Sequence, residues 1–333
     1  MSTVDPARIV EMASAFYDSC VLFAASDLGI FKKLAELGEA DLETMASACG
    51  LDRRGGQLLL DACVALGLCE KRESRYRNSP EAALFLVPGS PADLSGAIRY
   101  NRDVYSAWGR LREMVQSGKP VERPELHLGE DEDRTRTFVL AMHHRALGIG
   151  QAVVPLLDLS ESKQVLDVGG GPGTYSMLIA REFPGVECIV LDLPEVVKIA
   201  AELVAQAGMA GKVRTLAGDY HSVPFPDGND AVLFFGVLHQ EDEETIRHLL
   251  RRAHDSLVSG ALVYVLDMMT DSSRAQPKFS ALFSLNMALT TERGWVFSDE
   301  DLEGWLAEAG FGNFSCRPLP PPMPHWLACA RRS

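Results

Sequence analysis

The chain has 333 residues, 47% of them hydrophobic, and a formal net charge of −14. That is enough chain for more than one domain and a large core, while the acidic balance repels phosphate backbones and anionic lipid, which argues against nucleic acid and membrane as partners. No apolar run reaches membrane-spanning length, no basic-then-apolar leader opens the sequence, and the seven cysteines show no CxxC pair or metal-ligand spacing, so free buried thiols in a reducing cytoplasm are expected.

Taken in order, residues 7–25 read as a helix, with Ile9, Val10, Met12, Ala13, Phe16, Tyr17 and Cys20 at three-to-four spacing. Leu28–Phe31 turns into a second helix. Asp41 or Thr44 caps a third. A fourth spans 53–66 and ends at Gly67 as a left-handed cap. Leu68–Glu70 and Arg75–Asn78 form the arms of a short hairpin. The run helix, helix, helix, hairpin that ends this stretch makes a winged-helix pattern, assigned here to a module of residues 1–95. As a DNA reader this module is poor. Its recognition helix carries Arg53 and Arg54, then Gln57 and Asp61, and the hairpin cations Lys71, Arg72, Arg75 and Arg77 are interrupted by Glu70 and Glu73.

Residues 96–160 read as helical linkers at the start of a second domain, 96–333. One helix is expected over 98–115, with Tyr105, Trp108 and Leu111 on one face. Loops follow at 118–124 and 129–133, and another helix at 138–154. From residue 164 strands and helices alternate. Strands are predicted at 164–168, 188–192, 213–217, 230–235 and 260–266, and helices at 175–183, 195–207, 243–257, 278–289 and 299–309. That alternation predicts an α/β, doubly wound parallel sheet, completed by late strands near 313–317 and 326–330. Between these two, Pro318–Pro324 is too rich in proline for helix and must be extended.

The stretch Val165-Leu-Asp167-Val-Gly169-Gly-Gly171-Pro-Gly173-Thr174-Tyr175 organises the second domain. Strand, glycine turn and helix form the nucleotide-binding opening of an α/β sheet. The glycines let a ligand lie against bare backbone. Thr174 stands where a dinucleotide fingerprint needs its third glycine, and there is no Gly-Lys-Ser/Thr for a triphosphate, so a nucleoside without phosphates fits better. The next strand ends in Asp192, where an acid accepts ribose hydroxyls. The third ends in Gly218-Asp219, where an acid can reach an adenine amino group. The fourth runs into His239, on the ligand side of the sheet.

Val165–Thr174, Asp192-Leu193-Pro194 and Gly218-Asp219 together resemble the S-adenosylmethionine-dependent methyltransferases. More narrowly, the chain resembles the small-molecule O-methyltransferases of the caffeic acid, acetylserotonin and bacterial polyketide-tailoring type, over nearly its whole length. The resemblance implies a Rossmann-like class I methyltransferase domain, S-adenosyl-L-methionine as cofactor, and a homodimer formed through the winged-helix-like module, whose exposed apolar face suits that role. It implies a cofactor site of Asp167, Gly169, Gly171, Gly173, Asp192, Leu193, Gly218, Asp219, Tyr220 and Phe234. His239 matches the family's general base and Asp267 the carboxylate that orients it. Trp108, Phe138, Met142, His143, Phe283, Asn286 and Met287 match acceptor-lining positions. A second family acid is replaced by Val296.

The chemistry agrees. A phenol, with a pKa of about 10, attacks a sulfonium methyl poorly until its proton is removed, and histidine, at about 6.5, is a matched acceptor. The expected activity is therefore O-methylation of a phenolic or enolic small molecule. A carbon or nitrogen nucleophile on the same scaffold is the alternative within enzymes, and a ligand-sensing winged-helix regulator the alternative outside them.

Overall fold

The structure, a computed structural model, describes residues 5–90, 92–122, 131–321 and 323–333. They divide into two compact units, 1–102 and 103–333.

The first unit contains α1 (Ala7–Ser14), α2 (Phe16–Asp27), α3 (Ile30–Leu37), β1 (Ala40–Asp41), α4 (Leu42–Cys49), α5 (Arg53–Ala65), β2 (Cys69–Arg72), β3 (Arg75–Asn78) and α6 (Pro80–Phe85). Its helix starts follow from side-chain caps: Asp41 accepts from the Thr44 N–H at 2.9 Å and Asp52 from Gly55 at 2.8 Å. Strand β3 lies antiparallel between β1 and β2. Ile30, Phe31, Leu34, Met45, Leu60 and Tyr76 fill the core. The hairpin cations are largely matched by carboxylates, Lys71 to Asp61, Arg75 to Glu39 and Arg77 to Glu70.

One expectation is corrected here. Helices α1 and α2 run on with barely a break at Ala15, and within the 21 residues Ala7–Asp27 an 18-residue stretch reaches a mean hydropathy of 1.3, which by length and composition would be enough to cross a membrane. The polar residues scattered along it hide this in a search for unbroken apolar runs. The apolar side chains of its first half face outward, Ile9 66% exposed, Val10 63%, Met12 61% and Tyr17 59%, while Val21, Leu22 and Ala25 pack onto the core.

The second unit is built on a sheet of β4 (Gln164–Val168), β5 (Glu187–Asp192), β6 (Val213–Ala217), β7 (Asn229–Phe235), β8 (Leu257–Asp267), β9 (Phe311–Pro318) and β10 (Trp326–Arg332), in the order β6-β5-β4-β7-β8-β10-β9. Strands β4 to β8 are parallel, but β10 runs antiparallel to both β8 and β9. The sheet is therefore mixed rather than wholly parallel. The connection 319–325 is too short for the crossover that a parallel pair demands. Within it Pro322 lies outside the described residues.

On one face Leu166, Ile189, Val232 and Phe234 pack beneath α13 (Glu243–Ser256) and α15 (Asp299–Glu308). On the other, Val165, Val190, Leu233 and Phe235 pack beneath α10 (Glu132–Val153), α11 (Thr174–Glu182) and α12 (Pro194–Gln206). The chain leaves β4 toward β5 and later returns to β4's other side as β7. This switch point opens a crevice at the carboxyl ends of these strands.

Two linker expectations change. The single helix over 98–115 is three, α7 (Ser95–Asp103), α8 (Tyr105–Gly109) and α9 (Leu111–Ser117), interrupted at Val104 and Arg110. The breaks let α8 and α9 both lie on α14 (Lys278–Thr290). Trp108 and Leu111 keep their inward packing around Leu289, but Tyr105 turns out to solvent. Helix α10 starts at Glu132 rather than Phe138, because Asp131 caps it by accepting from the Arg134 N–H at 3.0 Å. Residues 123–130, into which both predicted loops run, lie outside the described residues.

Candidate active site

The glycine turn leaves β4 with Gly169 at φ 64° and Gly171 at φ 54°, left-handed conformations that L side chains rarely adopt. The Gly169 N–H donates to the Leu191 carbonyl at 2.8 Å, tying the turn to β5. A β-carbon at Gly169 would strike Val237 at 2.7 Å and lie 3.5 Å from the Tyr220 ring, whereas at Gly171 it would meet open space. Gly173, also left-handed, precedes α11, and its N–H closes the turn onto the Gly170 carbonyl.

Asp192 stands over this turn. Its carboxylate accepts from the Gly171 N–H and from the Leu193 N–H, each at 2.7 Å. Burial raises its pKa to about 6, against the lowering effect of those two bonds. Leu193 itself packs with Val139, Val196 and Ile199. Asp167, at the end of β4, is wholly buried. One oxygen accepts from the Ser176 hydroxyl at 2.7 Å, and the other, Oδ1, has no partner among the described residues. Burial, with Asp192 nearby, pushes this carboxyl up to about 7.

At the end of β6 the Gly218 N–H donates to the Asp192 carbonyl at 2.9 Å. Asp219 is half exposed and accepts from the backbone and the ring of His221, at 2.9 and 2.6 Å. Burial works to raise its pKa, but these bonds outweigh it and hold the carboxyl below its usual range. The Tyr220 hydroxyl donates to Glu241 at 2.6 Å, and the other nitrogen of His221 sits 3.1 Å from the same carboxylate. Arg252 pins the loop by donating to the Tyr220 and Val223 carbonyls. His221, Glu241 and Arg252 escaped the sequence reading, because only the fold brings β6 and α13 to one place. Phe234 requires a correction. Its side chain points into the sealed core under α13 and is fully buried, so it has no surface to offer a ligand.

Beyond β7, Gly236 (φ 74°) turns the chain into a single 3-10 turn, Leu238–Gln240, that carries His239. Its Nδ1 lies 2.6 Å from Asp267 Oδ1, at the end of the adjacent β8, and its backbone N–H donates to Asp267 Oδ2 at 3.2 Å. Asp267 is fully buried. A carboxylate in that position fixes the proton on Nδ1 and leaves Nε2 with its lone pair. The ring meets Phe283 edge-on at 5.4 Å. Phe283, Met287, Met268 and Val296 form one buried cluster, so Val296 contributes apolar wall where an acid was expected by resemblance. Asn286, buried on α14, accepts from the Trp108 indole N–H at 2.9 Å.

The structure thus brings His239, Asp267, Phe283 and Met287 together, and Trp108 with Asn286 on the same helix α14. His143 lies elsewhere than the predicted acceptor lining: its Nδ1 is 2.7 Å from the Thr174 hydroxyl at the start of α11, beside the glycine turn. Burial and the neighbouring His144 lower its pKa. Met142 precedes it and Phe138 lies further up α10, both half-buried. No sequence signal marked Arg145 or His325, which the fold adds to this end of the sheet. The Arg145 Nη2 lies 3.3 Å from His325 Nε2.

A family model described as an O-methyltransferase domain matches residues 118–312, and one described as an O-methyltransferase dimerisation domain matches residues 10–88. The chain belongs to the S-adenosylmethionine-dependent O-methyltransferases. It is 34% identical to a 3-hydroxy-5-methyl-1-naphthoate 3-O-methyltransferase of Streptomyces sahachiroi, over 92% of this chain and 89% of that one. It is 32% identical to the acetylserotonin O-methyltransferase of Mus musculus, over 93% of this chain and 84% of the relative. The crystal structure of human N-acetylserotonin methyltransferase in complex with SAM superposes with a TM-score of 0.88 at 29% identity, covering 100% of this chain and 99% of that one. This O-methyltransferase therefore uses S-adenosylmethionine as methyl donor and a small molecule as acceptor, and carries the family's dimerisation domain in its first unit.

Proposed function

We propose that this O-methyltransferase methylates a phenolic or enolic hydroxyl, with His239 as the base that takes the hydroxyl proton and Asp267 as the residue that orients it. The observation that carries this reading is the 2.6 Å contact between His239 Nδ1 and the buried Asp267. It leaves Nε2 as the proton-accepting atom, and among the described residues nothing hydrogen-bonds Nε2. The apolar wall of Met268, Phe283, Met287 and Val296 beside the ring suits an aromatic acceptor and excludes water from the nucleophile.

The cofactor's fit rests on three features. Gly171 faces open space with bare backbone. Asp192 stands over the turn, placed to accept from the ribose hydroxyls. The unpartnered, buried Asp167 Oδ1 is an acceptor that lacks a donor. Tyr220, held over Gly169, is assigned to the adenine side, with Gly218 and Asp219 at the neighbouring strand end. Bound there, S-adenosylmethionine supplies an activated methyl on a positive sulfonium. The protein's part is to hold the acceptor oxygen in line and to receive its proton at His239 Nε2.

The test is His239→Ala. Turnover should drop about 10²–10⁴-fold, the usual worth of a positioned base, while S-adenosylhomocysteine affinity measured by calorimetry stays close to wild type. Near-normal turnover on the true acceptor would reject the base assignment and favour an acceptor already ionised, or one that attacks through carbon.

The same proposal includes assembly as a homodimer. Its support is the match of residues 10–88 to a dimerisation domain and the exposed Ile9, Val10, Met12, Phe16 and Tyr17 on α1 and α2. A second copy is the partner that would cover them. Sedimentation should give about twice the 36.3 kDa of one chain, and a strictly monomeric species at micromolar concentration would count against it.

A further inference from the structure

His325 precedes β10, and β10 runs opposite to β8. The pairing of Trp326 with Asp267 brings His325 level with Met268, one residue beyond the carboxylate that holds His239. The ring is 6% exposed. Its Nε2 faces the Arg145 guanidinium at 3.3 Å, and Arg145 also reaches Met268 Sδ at 3.9 Å. An arginine has no lone pair, so it donates and the imidazole accepts at Nε2. The imidazole proton then sits on Nδ1, a buried donor with no partner among the described residues. Burial, with Arg145 and His239 close by, pulls this histidine's pKa down to about 3, so it is neutral at working pH.

Arg145 is equally underused. It is half-buried, yet no carboxylate pairs with it among the described residues, and the bonds it makes use one of its nitrogens. The Nε and Nη1 of Arg145, and the Nδ1–H on the far side of the His325 ring, are donors without an acceptor among the described residues. His325 also lines a cavity of 430 Å³ whose walls include Phe279, Leu319, Met323 and Trp326. That is room for a bicyclic aromatic body; Asp271 is also on its lining, and its Phe279 stacks on Phe283, the residue that meets the His239 ring.

We propose that Arg145, with His325, binds an anionic substituent, a carboxylate carried by the aromatic acceptor, so that the enzyme selects acidic hydroxyarenes. This rests on the reading of the His239 chamber as the acceptor site. Arg145 presents a planar fork matched to a carboxylate. His325 orients that fork through Nε2, and the acceptor's ring lies against the apolar wall with its hydroxyl toward His239. Water in place of the anion offers neither its charge nor its two-oxygen match to the guanidinium, and that difference is what gives the site its discrimination.

The experiment is calorimetry on the full-length enzyme saturated with S-adenosylhomocysteine, titrated with hydroxynaphthoates and with the naphthols that lack only the carboxylate. At least one acid should bind about tenfold or more tightly than its naphthol, the usual worth of a charge-assisted bond. Arg145→Gln should bring that ratio close to one, Arg145→Lys should keep part of it, and His325→Phe should reduce it. Equal binding within every wild-type pair, or a preference that survives Arg145→Gln, overturns the proposal. So does a loss of S-adenosylhomocysteine affinity in Arg145→Gln with its circular dichroism unchanged, since Arg145 would then serve the cofactor. The binding ratio needs no turnover, so it is read independently of the base assignment, which stands or falls with His239→Ala.

Discussion

The two ends of the active site are made in different ways. The cofactor end is local: the glycine turn, Asp192 and Gly218 sit at successive strand ends within 169–219, and backbone bonds tie each to the next. The proposed acceptor end is assembled from α8, α10, α14 and the start of β10, and its contacts are between side chains far apart in sequence, such as Trp108 with Asn286 and Arg145 with His325. A scaffold of this kind can keep one methyl donor while changing what it methylates, because few acceptor-facing side chains also hold the turn.

That separation can be broken experimentally. The largest effect should come from Asp192→Ala. Hydrogen bonds to a charged group are worth roughly 1.5–3 kcal/mol, and losing the carboxylate that would hold the ribose hydroxyls is expected to cost about that much in all. S-adenosylhomocysteine affinity should fall about ten- to a hundredfold, with acceptor preference unchanged. Calorimetry showing wild-type affinity would remove Asp192 from the cofactor site, and a changed acceptor preference would show that the two ends are coupled.

A smaller effect is expected from pH. The Asp192 carboxyl, raised by burial to about 6, is protonated below that pH and becomes a weaker acceptor. Binding of hydroxyl donors favours the charged form, so binding releases a proton there. Wild-type affinity for S-adenosylhomocysteine should rise with pH by up to about tenfold per unit below 6 and level off above it. The slope should shrink in Asp192→Ala, leaving only what Asp167, raised to about 7, contributes. A flat wild-type profile between pH 5 and 7 would mean that the charge of Asp192 does not matter to binding.

The smallest effect tests the other end. Trp108→Phe keeps the ring but removes the bond from the indole N–H to Asn286. A neutral hydrogen bond is worth about 0.5–1.5 kcal/mol, so kcat/KM for the acceptor should fall by about two- to tenfold through KM, with cofactor affinity constant. A matching loss of cofactor affinity would contradict the division into two ends.

The same division explains what was legible in the sequence. The parallel strands, the glycine turn, Asp192, His239 and Asp267 stand at strand ends, where period and punctuation mark position. The breaks at Val104 and Arg110 could not be read, because packing on α14 decides them. The antiparallel course of β10 could not be read from its composition, and with it went His325. Phe234 was misplaced because helices cover both faces at the end of β7, so its last side chains go into core on either side, which residue type does not reveal. The link of His143 to Thr174 depends on where α10 crosses α11, which no spacing encodes.

The course of β10 also bears on how the chain comes off the ribosome. This strand sits between β8 and β9, yet it is made after both. Until Trp326–Arg332 emerges, the β8 edge next to Asp267 has no neighbour on that side, and β9 has no strand to join. The nascent chain therefore carries a finished turn and donor cradle well before it has an acceptor chamber. For that interval it exposes a long apolar edge of the kind that chaperones cover and that misfolding chains share.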